Sequence, residues 1–508
     1  MIKSIPMKLS VAFLLILLSL SASTQDINKL TDSYIENNGV EILQDFQKLL
    51  SIPNVAFDLP NINKNADYIK AELEKRGVET KLLRMVGTPP IVFGYYPVKN
   101  AKRTLAFYVH YDGQPVDKTN WTNNPWKPTY YSKAIFDGGE ATDFPTAFEQ
   151  IDPENRIYAR SAGDDKAPII TLLTALDLIK ENKLKVTSNI VFFFEGQEEA
   201  GSRQLRQYLS DNRALVDEID LWMFCDGPVH QSRKPQLVFG VRGVTGMEIT
   251  LFGSNRPLHS GHYGNWAPVP GQRLAELLAS MKDADGNVII DGYYDDVEPL
   301  SELEKEALVN VPSIDDQLKN ELEVLDPEGS ESYAERLLLP SLTVRGLSSG
   351  NTGKLARNVV PATATASLGI RLVKGCDPDK QKDLVEAHIR KQGYHIVREA
   401  PDEETKKKYS KIALVTRGSG YPAARTAMDT PIAQEVVNRA KQVIGDDLVL
   451  LPTLGGSLPL YLFTDVLKKP AIIVPIANHD NNQHAADENL RVANLWYGIK
   501  LMSGLLTM

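Results

Sequence analysis

Three unbroken apolar runs constrain this chain most: "LAFYV" at 105–109, "IVFFF" at 190–194 and "LWMFC" at 221–225. Successive strand residues point to opposite faces, so a strand that is apolar at every position has to be covered on both. Between the runs lie stretches with apolar residues at helical spacing, "APIITLLTALDLIKEN" and "SRQLRQYLSD". Upstream, "IENNGVEILQDFQKLLSIP" and "NADYIKAELEKRG" show the same period, the second stopping at Gly77, and "PPIVFGYY" reads as a further strand. Strands alternating with amphipathic helices predict an α/β domain with a mostly parallel sheet and helices on both faces.

Past Val241 the texture changes. "VTGMEITLFG" alternates in polarity, a charged and helical stretch is expected over 298–338, and "PSLTVRGL", "PATATASLGIRLV", "DKQKDLVEAHIRKQG" and "YHIVREA" follow. That is the pattern of an antiparallel sheet with helices on one side. From about 425 the first style returns, with "TPIAQEVVNRAKQVIG" as a helix and "AIIVPIA" as a strand. A chain of 508 residues is long for one core. The simplest organisation is a catalytic domain over 24–240 and 425–508, with a second domain over 241–424 inserted into it.

The first residues obey different rules. Lys3 and Lys8 precede "LSVAFLLILLSLSA", small residues follow, and the chain then turns polar at "TQDINK". This is the layout of a secretory signal peptide over 1–23, too short for a comfortable span and cleaved near Ser23. It predicts an exported protein, secreted or periplasmic, with no stable membrane association after cleavage. No cysteine lies near the cleavage point to carry a lipid; Cys225 and Cys376 fall in different domains and are expected to be buried thiols. A net charge of −9 without a basic stripe leaves no footprint for nucleic acid.

The polar residues that ask for an explanation sit just past strand ends. His110 and Asp112 follow "LAFYV"; Glu195, Glu198 and Glu199 follow "IVFFF"; Asp226 follows "LWMFC"; His484 lies beyond "AIIVPIA". In an open α/β sheet that edge is where ligands bind. Crowded carboxylates repel one another, and a divalent cation removes the repulsion; imidazole with carboxylate suits zinc and also admits manganese. In "HYD", His110 and Asp112 share one side of the chain, which fits a ligand with its orienting carboxylate. "ARSAGDDKAP" sets Asp164 and Asp165 before a helix, where Asp165 could serve simply as an N-cap. Within "EGQEE" one of the adjacent glutamates can face a metal and leave the other free to take a proton from water.

Taken in order, "HYDGQP", "DDK", "EGQEEAGS", "CDGP", "RPLHSGHYG", "RNVVPATATASLGIRL", "GGSLP" and "HAADENL" resemble the M20 family of metallopeptidases, in particular its dipeptidase (carnosinase-like) branch, over nearly all of the chain after the leader. The resemblance implies two divalent ions per subunit, zinc first, with manganese or cobalt as alternatives. His110 and Asp226 would hold one ion, Glu199 and His484 the other, and Asp164 would bridge them. Glu198 would be the general base and Asp112 the residue that orients His110. The bond between Asp164 and Asp165 would be cis. His484 is preferred to His479 because "HAADENL" carries the family's histidine with a glutamate four residues on. The resemblance further implies that the inserted domain is an α+β, ferredoxin-like lid through which the chain forms a homodimer. His259 of that domain would stabilise an oxyanion in the partner subunit's site. Asn358, Arg371 and the Gly455, Gly456 and Ser457 loop would contact the substrate, with Arg371 forking onto a terminal carboxylate.

This chain departs from the family at Ala159, Ser161 and Ala167, where glycines are usual, and in an insertion over 137–152. No ligand type is lost. The expected activity is hydrolysis of dipeptides or short peptides. The same fold would also serve hydrolysis of N-acyl amino acids or carboxypeptidase action, and a non-catalytic binding relative is the reading from another class.

Overall fold

A computed structural model describes the backbone from residue 8 and the side chains from residue 27. The signal peptide read at 1–23 lies outside the residues described in full. Two compact units are present: Met1–Val238 with Ala427–Leu450 and Leu467–Met508, and Phe239–Thr426 with Leu451–Val466.

The first unit is built on an eight-stranded sheet. Its strands are β1 (Glu79–Leu83), β2 (Ile91–Tyr96), β3 (Thr104–His110), β4 (Asn189–Glu195), β5 (Leu221–Phe224), β6 (Gln236–Val238), β12 (Val449–Leu451) and β13 (Ala471–Ile473); β7 to β11 belong to the second unit. The order across the sheet is β1-β2-β4-β3-β5-β13-β6-β12. Its centre, β4-β3-β5-β13, is parallel, whereas β1 and β2 add on antiparallel at one side. All seven residues of β3 are buried, so both faces of the sheet are covered there. Helices do the covering: α1 (Lys8–Leu50), α2 (Leu59–Lys75), α3 (Lys166–Glu181), α6 (Pro431–Ile444) and α7 (Val492–Leu506), with α3 packed on α1, α7 and β3. Among the described residues no helix is long and apolar enough to cross a membrane. The aromatic runs lock into one another, Tyr108 stacking on Phe224 at 4.3 Å and Phe193 meeting Trp222 edge-on at 5.4 Å.

The second unit holds a five-stranded sheet in the order β8-β9-β7-β11-β10, where β7 is Gly243–Phe252, β8 Ser341–Ser348, β9 Thr363–Leu372, β10 His395–Val397 and β11 Ile412–Arg417. All pairs are antiparallel except β10 with β11. Alternate residues of β9 are buried, as expected of a sheet with one packed face. Leu274 and Leu277 of α4 (Pro270–Ala279) and Val385 and Ile389 of α5 (Pro378–Lys391) fill that face.

Two details differ from the reading of the sequence. Residues 451–466, grouped above with the first domain, cluster with the second unit, because Leu454 donates to the Gly240 carbonyl and Arg242 to that of Gly456. The stretch over 298–338 forms three short helices, Glu302–Val309, Asp315–Glu321 and Tyr333–Arg336, two of them opened by capping boxes at Ser301 and Ser332. The insertion over 137–152 is ordered: Ala141–Thr142 forms an edge strand of a small antiparallel sheet, and Phe148–Gln150 a turn of 3-10 helix.

Candidate metal centre

The parallel strands deliver their last residues to one edge. His110 ends β3 and Glu195 ends β4, paired across the sheet, and Asp226 stands two residues beyond β5. The loop before α3 brings in Asp164 and Asp165, joined by a cis peptide bond as the resemblance implied. His484, with φ of 64°, comes from the loop after β13.

Two groups of ligand atoms result, His110 with Asp165 and Asp226, and Asp164 with Glu199 and His484, the atoms within each lying no more than 4.8 Å apart. Asp164 joins them. Its Oδ1 is 2.8 Å from Nε2 of His110, and its Oδ2 is 3.1 Å from Nε2 of His484, which is itself 3.2 Å from Glu199. Asp165 does not cap α3 through its side chain: Oδ2 accepts the His110 backbone N–H at 3.1 Å, and Oδ1 is buried without a hydrogen-bond partner. His479 stands outside both groups.

The electrostatics call for cations. Burial pushes the carboxyls of Asp165 and Glu198 well above their usual range and those of Asp226 and Glu195 up to about 7. Desolvation therefore outranks the mutual repulsion argued from the sequence. Asp164 is the exception: against burial, its hydrogen bonds with His110 and His484 hold it well below the carboxylate range. His484 is pushed up to about 10 by its hydrogen bonds with Asp164 and then Glu199, a sign that the pair demands a positive partner. Buried acids, an unpaired carboxylate oxygen on Asp165 and two imidazoles fit divalent cations bound by nitrogen and oxygen.

The residues around the ligands hold them in place. His110 Nδ1 meets the carbonyl oxygen of Asp112 at 3.1 Å and its carboxylate only at 3.6 Å. The Asp112 carboxylate instead accepts the backbone N–H groups of Glu198 and Glu199, each at 3.0 Å. It thus fixes both the histidine and the glutamate loop. Glu195 accepts the Tyr108 hydroxyl at 2.6 Å, a structural hydrogen bond. Gly113 is required: a Cβ there would lie 2.2 Å from the Ser161 Oγ. Ser161 holds a left-handed φ of 64° and accepts from Asn54 at 2.9 Å.

One residue escaped sequence reasoning. Glu488, fully buried, accepts the N–H groups of Ser161, Gly163 and Asp164 and the Arg160 guanidinium at 2.8 to 3.0 Å, shaping the loop that presents Asp164. It is the glutamate of "HAADENL", the signal used to choose His484.

In the second unit, His259 is exposed, its Nδ1 accepting from the Gly261 N–H at 3.1 Å, and Asn358 lies beside it through the Ser260 N–H bond to the Asn358 carbonyl. Arg371 donates to the Ser457 hydroxyl at 2.6 Å. Among the described residues, the N–H groups of Gly455, Gly456 and Ser457 make no backbone hydrogen bond, whereas the Gly456 carbonyl accepts from the Arg242 N–H.

The model of peptidase family M20/M25/M40 matches residues 106–508, a span that contains every residue of both ligand groups. The chain belongs to this family. It is a hydrolase of peptide bonds in a family of metallopeptidases. It is similar to the Cys-Gly metallodipeptidase dug1 of Schizosaccharomyces pombe, 25% identical over 92% of this chain and 95% of that protein. It is also similar to the Beta-Ala-His dipeptidase of Mus musculus, 25% identical over 82% of this chain and 79% of that one. Among solved structures it resembles the M20 family metallo-carboxypeptidase Sso-CP2 of Sulfolobus solfataricus, with a TM-score of 0.72 and 28% identity over 92% of this chain and 98% of that one.

Proposed function

We propose that this M20 family member is an exported, dinuclear dipeptidase that acts on dipeptides or very short peptides with a free carboxyl end. The observation that carries the reading is Asp164, whose two carboxylate oxygens face His110 and His484 separately, at 2.8 and 3.1 Å. His110 and Asp226 would hold one ion, Glu199 and His484 the other, with Asp164 between them and zinc as the leading choice. Cations there would polarise the scissile carbonyl and ease deprotonation of water. Glu198, set on the loop that Asp112 grips, takes the proton from the attacking water and returns it to the leaving amine. Arg371, steadied by Ser457, receives the peptide's terminal carboxylate together with Asn358 and the N–H groups at Gly455 and Gly456. His259 steadies the oxyanion in the partner subunit's site. The dipeptidases among the relatives support the substrate size, and the resemblance of residues 1–23 to a signal peptide supports export.

The likeness to a metallo-carboxypeptidase favours a second reading, in which longer peptides lose their last residue. Turnover of dipeptides, tetrapeptides and N-acyl amino acids at equal concentration separates the readings. Dipeptides are expected to win on kcat/KM; preference for tetrapeptides or acylated amino acids overturns the assignment.

A further inference from the structure

The second unit contains a cavity of about 420 Å³ whose lining belongs to that unit alone. Its walls are largely apolar, with Val288, Leu318, Leu322, Val324, Leu337 and Leu342 prominent, and the volume lies in the range of small-molecule sites, about 300 to 1,000 Å³. Four cations and three carboxylates line it. Lys282 pairs with Glu328 at 2.6 Å and Arg336 with Glu331 at 3.1 Å, while Asp315 is occupied by the Tyr333 N–H and the Ser313 hydroxyl.

Of the other two cations, Lys319 is only half-buried and keeps contact with water, and Arg242 is the buried one left over. It is 7% exposed, donates once from Nη2 to the Leu339 carbonyl at 2.7 Å, and its Nε is buried without a partner. Burial and then the neighbouring Arg371 lower its pKa to about 10. A guanidinium keeps its proton under such pressure, so the shift expresses an unmet demand for negative charge. A buried charge lacking a counter-charge is costly to a fold, and a bidentate carboxylate is the partner that its fork matches best.

We propose that this cavity is a binding site for a small monocarboxylate with an apolar tail, the carboxylate on Arg242 and the tail among the leucines and valines. One buried cation without a counter-charge, beside a half-buried Lys319 that water can solvate, selects a monoanion. The apolar walls select a tail and disfavour a bare inorganic ion.

Calorimetric titration of the full chain with hexanoate, hexanol and inorganic phosphate tests this, using wild type, Arg242→Met, Leu318→Trp and Arg371→Met. Hexanoate is expected to bind wild type at one site and to weaken about tenfold or more in Arg242→Met and in Leu318→Trp, which fills the cavity without touching the charge. Arg371→Met is expected to bind as wild type does. Hexanol and phosphate are expected to bind at least about tenfold more weakly than hexanoate. The proposal fails if no probe binds or if hexanol or phosphate matches hexanoate. It also fails if affinity survives in Leu318→Trp or drops only in Arg371→Met. Should Arg242→Met fail to fold, Leu318→Trp and the comparison of probes decide alone.

Discussion

Asp164 can serve two partners because its loop is held from behind. Three backbone N–H groups of that loop and the Arg160 guanidinium converge on the buried Glu488 carboxylate, and residues that orient metal ligands in this way typically govern affinity by about 10 to 100-fold. Glu488→Gln is therefore expected to weaken metal binding by about that factor, read by competition with a chromogenic chelator, with the fold retained by circular dichroism. Unchanged affinity would reduce Glu488 to a packing role. Glu198→Gln is expected to keep its metal and lose turnover by about 10²- to 10⁴-fold; full activity would remove it as the base. At this scale the sequence was legible where chemistry repeats at strand ends, as at His110, Asp226 and the adjacent glutamates. It was not legible where one side chain does the job through backbone atoms: nothing in "HYD" says that the Asp112 carboxylate grips the N–H groups of Glu198 and Glu199, and nothing in "DDK" says that the Asp165 side chain turns from α3 toward His110.

Among the elements, the continuous apolar strands were the readable part, since burial on both faces leaves a mark in every residue. Phe193 of β4 is 1% exposed and packs against Tyr108 and Trp222. Phe193→Ala is expected to cost about 3 to 5 kcal/mol, measured as a lower urea midpoint with loss of bound metal. Strands β1 and β11 went unread: "ETKLL" lies at a sheet side with no fully buried residue, and the apolar part of "IALVTR" is short. The charged run over 298–338 is helical only in pieces for a related reason, its helical composition being broken into three short helices, two of them opened by capping boxes. In the second unit Glu386 of α5 ties α5 to β11 through Arg417 and also accepts from Arg398 just past β10, at 2.7 and 2.8 Å. Burial acts to raise its pKa, but the hydrogen bonds from the two arginines hold it down to about 2. A depressed carboxyl contributes fully above its ordinary value of about 4.3 and loses that contribution as pH falls toward the folded value. Thermal scans should thus show the second unit weakening between about pH 4.5 and 2, and Glu386→Gln should be less stable at neutrality with a flatter acid limb. Parallel acid limbs in the two proteins would contradict the linkage.

For the whole molecule, the edge strand β8 leaves Val344 46% and Leu347 59% exposed, and an apolar edge of this kind invites pairing with another chain. The homodimer proposed here predicts twice the chain mass in solution scattering, and Val344→Lys with Leu347→Glu should give monomers with reduced kcat. A strictly monomeric, fully active wild type would contradict the role given to His259. None of this was readable from periodicity, because an edge strand looks like any other until its neighbours are placed. The proposed chemistry needs cations shared across Asp164, and metal content tests that most directly. Elemental analysis of the purified chain after zinc loading and desalting is expected to give two ions per chain, with Asp164→Ala losing both and all activity. A single ion per chain, or two retained in Asp164→Ala, would contradict it.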